Sequence, residues 1–226
     1  MRLNKYVASS LGISRRQADE VIKAGLIKLN GQPVDFNFTP SAGERLTYQN
    51  AILEPNYDPN VVLMLNKPLG FVCSRNGQGS NTIYDILPKK YHHLNPIGRL
   101  DKNSSGLLLM TNDGQLHQQL SHPKYEKQKV YQVLLDESLD SKDAEKIVSG
   151  VKLSDGISHV GLESLGTSKR RWVVAMHEGR NRQIRRTFAS LGYKVKKLHR
   201  TSFGPYELGE LESGEYKIAA KLIKVS

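Results

Sequence analysis

Gly98-Arg99-Leu100-Asp101-Lys102-Asn103-Ser104-Ser105-Gly106 leads directly into Leu107-Leu108-Leu109-Met110-Thr111-Asn112-Asp113-Gly114. A polar loop flanked by glycines thus passes into an apolar strand, which ends in an Asn-Asp-Gly turn. A carboxylate on a loop anchored by rigid strands is a usual catalytic placement, because the scaffold fixes the group while the loop leaves it accessible. Taken alone, Asp101 is equally well a turn residue or a cap, since short acidic side chains bond readily to nearby amides. The surrounding chain has to decide.

On either side of this stretch, apolar runs mark strands at residues 61–65, 107–110, 129–135 and 171–177, with a turn at Lys67-Pro68-Leu69-Gly70 and a returning strand at 71–74. Helical periodicity marks residues 116–120, 141–149 and 181–191. Strands and helices alternate without a regular βαβ repeat. The expected class is α+β, with a mixed, largely antiparallel sheet flanked by helices.

The N-terminal segment has its own pattern. Leu3, Tyr6, Val7 and Leu11 fall at helical spacing before Gly12. Ser14 and Gln17 fit a capping box opening a second helix, with Ala18, Val21 and Ile22 as its buried stripe and Gly25 beyond its end. Asn30-Gly31 between two short apolar runs predicts a hairpin, because both residues tolerate positive φ. A unit this small has no room for a deep site and suits docking. Residues 50–60, with Pro55 and Pro59, read as a linker.

The chain has 226 residues and a net charge of +11, and residues 169–200 hold eleven basic side chains against one acid, Glu178. Ten of the eleven net charges therefore lie in that stretch, which points to nucleic acid as partner rather than to a uniformly solvated basic face. One cysteine, Cys73, excludes an intrachain disulfide and a thiolate metal cluster. No run approaches the roughly 20 apolar residues that span a bilayer. The opening residues lack the apolar core of a signal peptide. A soluble, cytoplasmic protein with no membrane partner is expected.

Within the basic stretch, Glu178-Gly179-Arg180-Asn181-Arg182-Gln183-Ile184-Arg185-Arg186 runs from a strand into a helix. With Ile184, Phe188 and Leu191 buried, a step of about 100° per residue turns Arg182 and Arg186 to solvent and leaves Arg185 on the flank, where it can reach a cleft. A sheltered guanidinium needs an anion, most simply a carboxylate.

Two resemblances give these pieces a meaning. Arg2-Leu3-Asn4-Lys5-Tyr6, Ser14-Arg15-Arg16-Gln17-Ala18 and Gly25-Leu26-Ile27-Lys28-Leu29-Asn30-Gly31 resemble the S4-type RNA-binding domain. Gly98 to Asp101, Ser105 to Leu108 and Thr111 to Gly114 resemble the signature of RsuA-type pseudouridine synthases. That group includes small-subunit and large-subunit ribosomal RNA enzymes. Asn66-Lys67-Pro68-Leu69-Gly70, Lys129-Val130-Tyr131-Gln132-Val133, and Glu178 to Arg186 with Val195 to Arg200 resemble its remaining motifs in the expected order. The implied organisation is an S4-type domain at 1–49, a linker at 50–60 and a catalytic domain at 61–226.

The resemblance implies roles. Asp101 would be the catalytic carboxylate, acting on the ribose or the uracil or as a counter-charge, and Arg185 its ion-pair partner. Tyr131 would stack on the target base, with Leu198 an apolar wall and Arg99 part of the substrate pocket. Arg15, Arg16, Lys67, Arg182 and Arg186 would contact RNA. The implied reaction needs no cofactor and no metal. The implied partner is ribosomal RNA or a pre-ribosomal particle, met by a monomer. The stretch 181–186 leans toward large-subunit members, with a small-subunit target as the alternative. A non-catalytic RNA-binding or ribosome-assembly protein on the same fold would share the basic stretch. A glycosidase is disfavoured, because the only acid near Asp101 is Asp113, in a turn.

Overall fold

The computed structural model describes residues 2–41, 43–55 and 59–222. The chain divides into two compact units, Met1–Pro59 and Asn60–Ser226.

In the first unit, helix α1 (Leu3–Leu11) buries Leu3 and Val7 and stops at Gly12, whose φ of 66° is left-handed. Helix α2 (Arg15–Lys23) starts with the expected capping box: the Gln17 amide donates to Ser14 Oγ, and the Ser14 amide donates to Gln17 Oε1. Strands β1 (Ile27–Leu29) and β2 (Gln32–Pro33) are joined through Asn30 and Gly31, both at positive φ. Strands β3 (Leu46–Tyr48) and β4 (Ala51–Ile52) complete a sheet ordered β2-β1-β3-β4. Leu3, Val7, Ala18, Ile22, Ile27, Leu46 and Leu53 form one core.

That core corrects the expected linker. Ala51 and Ile52 belong to the sheet, and Leu53 is tied to the unit: its amide donates to Leu46 O at 2.8 Å, and its carbonyl accepts from Tyr6 Oη at 2.8 Å. A two-residue strand is too short to show alternation, and the nearby prolines outweigh it in the pattern. Residues 56–58 of the expected linker lie outside the described residues.

The second unit begins with β5 (Val62–Lys67), buried along its whole length, as a continuous apolar run implies. It continues through β6 (Asn95–Ile97), β7 (Ser105–Thr111), α3 (Gly114–Ser121), β8 (Lys129–Leu135) and α4 (Ser141–Ser149). A small hairpin, β9 (Val151–Leu153) and β10 (Gly156–Ser158), precedes β11 (Gly161–Ser164) and β12 (Arg171–Met176). Helix α5 (Gln183–Ala189) is followed by β13 (Val195–Phe203), β14 (Tyr206–Glu207) and β15 (Tyr216–Ala219). The main sheet runs β11-β12-β8-β13-β7-β5-β15, with β6 paired to β7 and β14 to β13. Only the β13–β7 pairing is parallel among the named strands of this sheet. Two apolar clusters pack within the unit, one around Leu63, Tyr131 and Phe188 and the other around Leu109, Leu116 and Phe203.

Two local expectations change. Residues 71–74 form no strand, and Val72 makes only an isolated bridge to Thr82. Helix α5 starts at Gln183 rather than Asn181, because Arg182 adopts a left-handed φ of 48°. Asp113 caps α3, its Oδ1 accepting from the Gln115 and Leu116 amides, while Lys221 Nζ approaches Oδ2 at 2.6 Å. Burial pushes its carboxyl upward, but Lys221 and the helix amides prevail and hold it below the ordinary range. A carboxylate committed in this way is a structural cap.

Candidate active site

The loop between β6 and β7 carries Asp101 into a cleft of about 710 Å³. The loop is fastened from below. Lys67, at the end of β5, is fully buried, and its Nζ donates to Pro68 O at 2.9 Å and Ser104 O at 2.7 Å. The Gly70 amide donates to Lys102 O, and the Ser104 amide donates to Asp101 O at 3.0 Å. The Leu100 amide rests on Cys73 Sγ at 3.4 Å. Burial pulls the Lys67 ammonium below its ordinary pKa, against the raising influence of Cys73 and Asp101. This corrects the expectation that Lys67 contacts RNA: it does not line the cleft, and its fully buried ammonium, bonded to two carbonyls of the scaffold, is a strut beneath the loop.

The arginines also exchange places. Arg185 does not bond Asp101. Its Nη2 donates to Asn103 O at 2.6 Å and its Nη1 to Val195 O at 2.7 Å, so it clamps the carboxylate-bearing loop to the start of β13. Burial first, then the neighbouring Arg182, lowers its pKa, while Asp101 opposes them. Arg182, expected in solvent, places Nη1 3.4 Å from Asp101 Oδ2. The helical wheel fails there because Arg182 is not helical: it stands at the N-cap with left-handed backbone, which re-aims its side chain. Arg186, expected at phosphate, is already occupied by a carboxylate, its Nη1 and Nη2 donating to Asp155 Oδ1 and Oδ2 at 2.9 and 2.7 Å.

Asp155 is absent from the sequence expectations, although Asp-Gly between two apolar runs is a hairpin signal. It sits at the tip of the β9–β10 hairpin, where its Oδ1 and main-chain carbonyl also accept from Arg180 Nη1. Gln183 Nε2 and Thr187 Oγ1 donate to Ser158 Oγ in the same hairpin, and Gln183 Nε2 also bonds Glu178 Oε1. The hairpin therefore braces the segment that presents Arg182 and Arg185. If the cleft is the catalytic site that the sequence resemblance implies, Asp155→Ala should lower kcat about 10- to 100-fold by letting that segment shift, while affinity for the implied RNA substrate holds or rises as two guanidinium groups are released. Steady-state kinetics separates the two quantities, and an unchanged kcat would remove the bracing role.

The same cleft is lined by Tyr131 on β8 and Leu198 on β13, each 7% exposed, and by exposed Arg99 on the loop itself. Arg200, opposite Tyr131 in the β13–β8 register, also lines the cleft while only 2% exposed. In the sequence it is one more basic residue, since a buried arginine on a strand has no local signature. In the first unit Arg15 and Arg16 are exposed on α2. The cleft thus holds a partly exposed carboxylate with a guanidinium beside it and a tyrosine in its wall, a set able to supply a nucleophile or a counter-charge to a planar substrate. Among the described residues, no three His, Cys, Asp or Glu side chains converge as a metal site, and no helix is long and apolar enough to cross a membrane.

The family model for RNA pseudouridylate synthase matches residues 61–190, and that for the S4 domain matches residues 1–46. The chain belongs to the RNA pseudouridylate synthase family and is an RNA-modifying isomerase with an S4 domain at its N-terminus. It is similar to ribosomal small subunit pseudouridine synthase A of Vibrio vulnificus, 33% identical with 96% of this chain and 95% of the relative covered. It is also similar to ribosomal large subunit pseudouridine synthase B of Bacillus subtilis, 34% identical with 95% and 90% covered. A crystal structure of a pseudouridylate synthase matches with a TM-score of 0.69 at 31% identity, over 97% of this chain and 96% of that one.

Proposed function

We propose that the protein converts a uridine of ribosomal RNA, in the large subunit, to pseudouridine, with Asp101 as the catalytic carboxylate. The observation that carries this reading is the placement of Asp101 in the cleft, with Arg182 Nη1 at 3.4 Å. In the reaction the bond from uracil N1 to ribose C1′ breaks and the base turns. C5 then bonds to C1′, the hydrogen on C5 leaves as a proton, and N1 ends protonated. Atoms and electrons balance within the nucleotide, so no oxidant or reductant enters. The target base must leave its stack to reach the cleft, which favours a loop or irregular helix. Tyr131 and Leu198 supply the flat and apolar walls for it. Arg185 acts through Asn103, holding the loop rather than the carboxylate. All of these groups lie on one chain, which suits a monomer, and a ribosomal RNA substrate suits work in the cytoplasm.

Relatives named for either subunit match over nearly the whole chain. The large-subunit assignment rests on the resemblance of residues 181–186. Incubating the protein with unmodified large- and small-subunit ribosomal RNA, followed by carbodiimide primer extension, tests both levels. A stop in large-subunit RNA is expected. A stop in small-subunit RNA alone would move the target, and none in either would remove ribosomal RNA.

Arg15 and Arg16 are proposed to meet phosphate through the exposed face of α2. Replacing both by alanine should reduce the salt slope of RNA binding by roughly 0.7 to 0.9 for each phosphate no longer neutralised. An unchanged slope in a binding titration would take α2 off the RNA.

A further inference from the structure

Two cations approach the same aromatic ring in the cleft wall. Lys129 Nζ lies 5.2 Å from the centre of the Phe203 ring, and Arg200 Cζ lies 4.9 Å from the same centre. All three residues line the cleft. Arg200 Nε donates to Leu107 O at 2.7 Å, but its Nη2 is buried with no hydrogen-bond partner. Lys129 Nζ is surrounded by the carbonyls of Lys127, His177 and Glu178, at 3.2, 3.1 and 3.4 Å. Among the described residues, neither cation takes part in an ion pair. Burial, together with the Arg200 charge, pulls Lys129 down to about 8, with Glu178 opposing.

Neighbouring like charges, Arg200 buried with an orphaned donor and Lys129 half-buried, are unfavourable unless an anion arrives. A neutral carbonyl of the base would satisfy the donor but leave both charges uncompensated. A phosphate satisfies the two together, and a guanidinium suits its geometry. We propose that Arg200 and Lys129, spaced by Phe203, form an anion subsite in the cleft wall that takes one phosphate of the RNA strand beside the target nucleotide. The inference rests on RNA being the substrate of this cleft. Arg200 is thereby a positioning residue, fixing where the backbone lies so that the extruded base falls between Asp101 and Tyr131.

The test uses the full chain and a fluorescently labelled pentauridylate, with binding followed by anisotropy between about 50 and about 200 mM salt. Lys129→Met and Arg200→Met should each lower the salt slope by about 0.7, the value for one phosphate of a single strand. The double variant should lose no more than either single one, because one phosphate is shared, and Lys129→Arg should keep the wild-type slope. Replacing the linkages one at a time by neutral methylphosphonate should weaken wild-type binding at one position where Lys129→Met is indifferent. If Arg200→Met does not fold, as judged by circular dichroism, Lys129→Met and the methylphosphonate series decide. Unchanged slopes, or losses that add in the double variant, overturn the shared subsite. Absence of pseudouridine in the primer-extension assay, with the slopes falling as expected, would sink the assigned reaction and leave the anion subsite standing.

Discussion

Asp101→Asn is expected to reduce pseudouridine formation by about 10⁴-fold or more, the scale on which loss of a nucleophile or its equivalent acts. The substitution is nearly isosteric. Its amide oxygen can still accept from Arg182, and the loop stays fastened by Lys67, Gly70 and Arg185, all of which grip main-chain carbonyls. Only the charge and the nucleophilic oxygen are lost. RNA affinity should hold or rise slightly, because an acid is removed from a basic cleft. A single-turnover assay at saturating enzyme isolates the chemical step from binding. Product formed at the wild-type rate would mean that Asp101 does no chemistry.

The second large effect concerns the fold. Gly106 has a φ of 103°, and a Cβ there would lie 2.2 Å from Arg200 O and 2.5 Å from Arg200 N. Both clashing atoms are main chain and sit where β7 and β13 meet in parallel, with Gly106 registered against Arg200. They cannot yield without parting the strands. Gly106→Ala should therefore cost about 3 kcal/mol or more, combining overpacking with a backbone conformation that disfavours a side chain. A loss of that size lowers Tm by about 10 °C for a domain of this length. Gly209 is the control: its φ of 61° is also left-handed, but nothing stands within 4 Å of its Cβ position. Gly209→Ala should cost only about 1 kcal/mol. Equal melting shifts for the two variants would show that the crossing at Gly106 is not tight.

Which features are legible in the sequence, and which are not, follows from the range of each interaction. The capping box at Ser14 and Gln17, the Asn30-Gly31 hairpin and strand 129–135 are set by neighbours in the chain, so local patterns reveal them. The carboxylate of Asp101 is legible because its whole motif is contiguous. The roles of Arg182 and Arg185 are not, since a single left-handed residue at 182 shifts the start of α5 and no periodicity rule foresees it. The strut formed by Lys67 is hidden because its carbonyl partner at Ser104 is 37 positions away. Strand β15, which pairs with β5 from residue 216 onward, and buried Arg200 likewise depend on pairings across most of the unit. Asp155 is different in kind: its Asp-Gly turn is visible, but its arginine partners come together only in the folded hairpin.

The parallel junction of β7 with β13 has a consequence for when the protein becomes an enzyme. Only two residue pairs register there, reinforced by Ser105 Oγ to His199 Nδ1 at 2.9 Å and Arg200 Nε to Leu107 O, across 94 and 93 positions of chain. Asp101 is carried on the β7 side, whereas Tyr131 and Leu198 belong to the β8–β13 side. A nascent polypeptide that ends before residue 195 already contains Asp101, Tyr131 and both arginines, yet lacks the strand that pairs with both β7 and β8. Closing so long a loop is entropically slow, so this strand inserts after the local hairpins and helices have formed. Activity is therefore expected only once β13 has paired with both β7 and β8, so a chain truncated before residue 195 should make no pseudouridine.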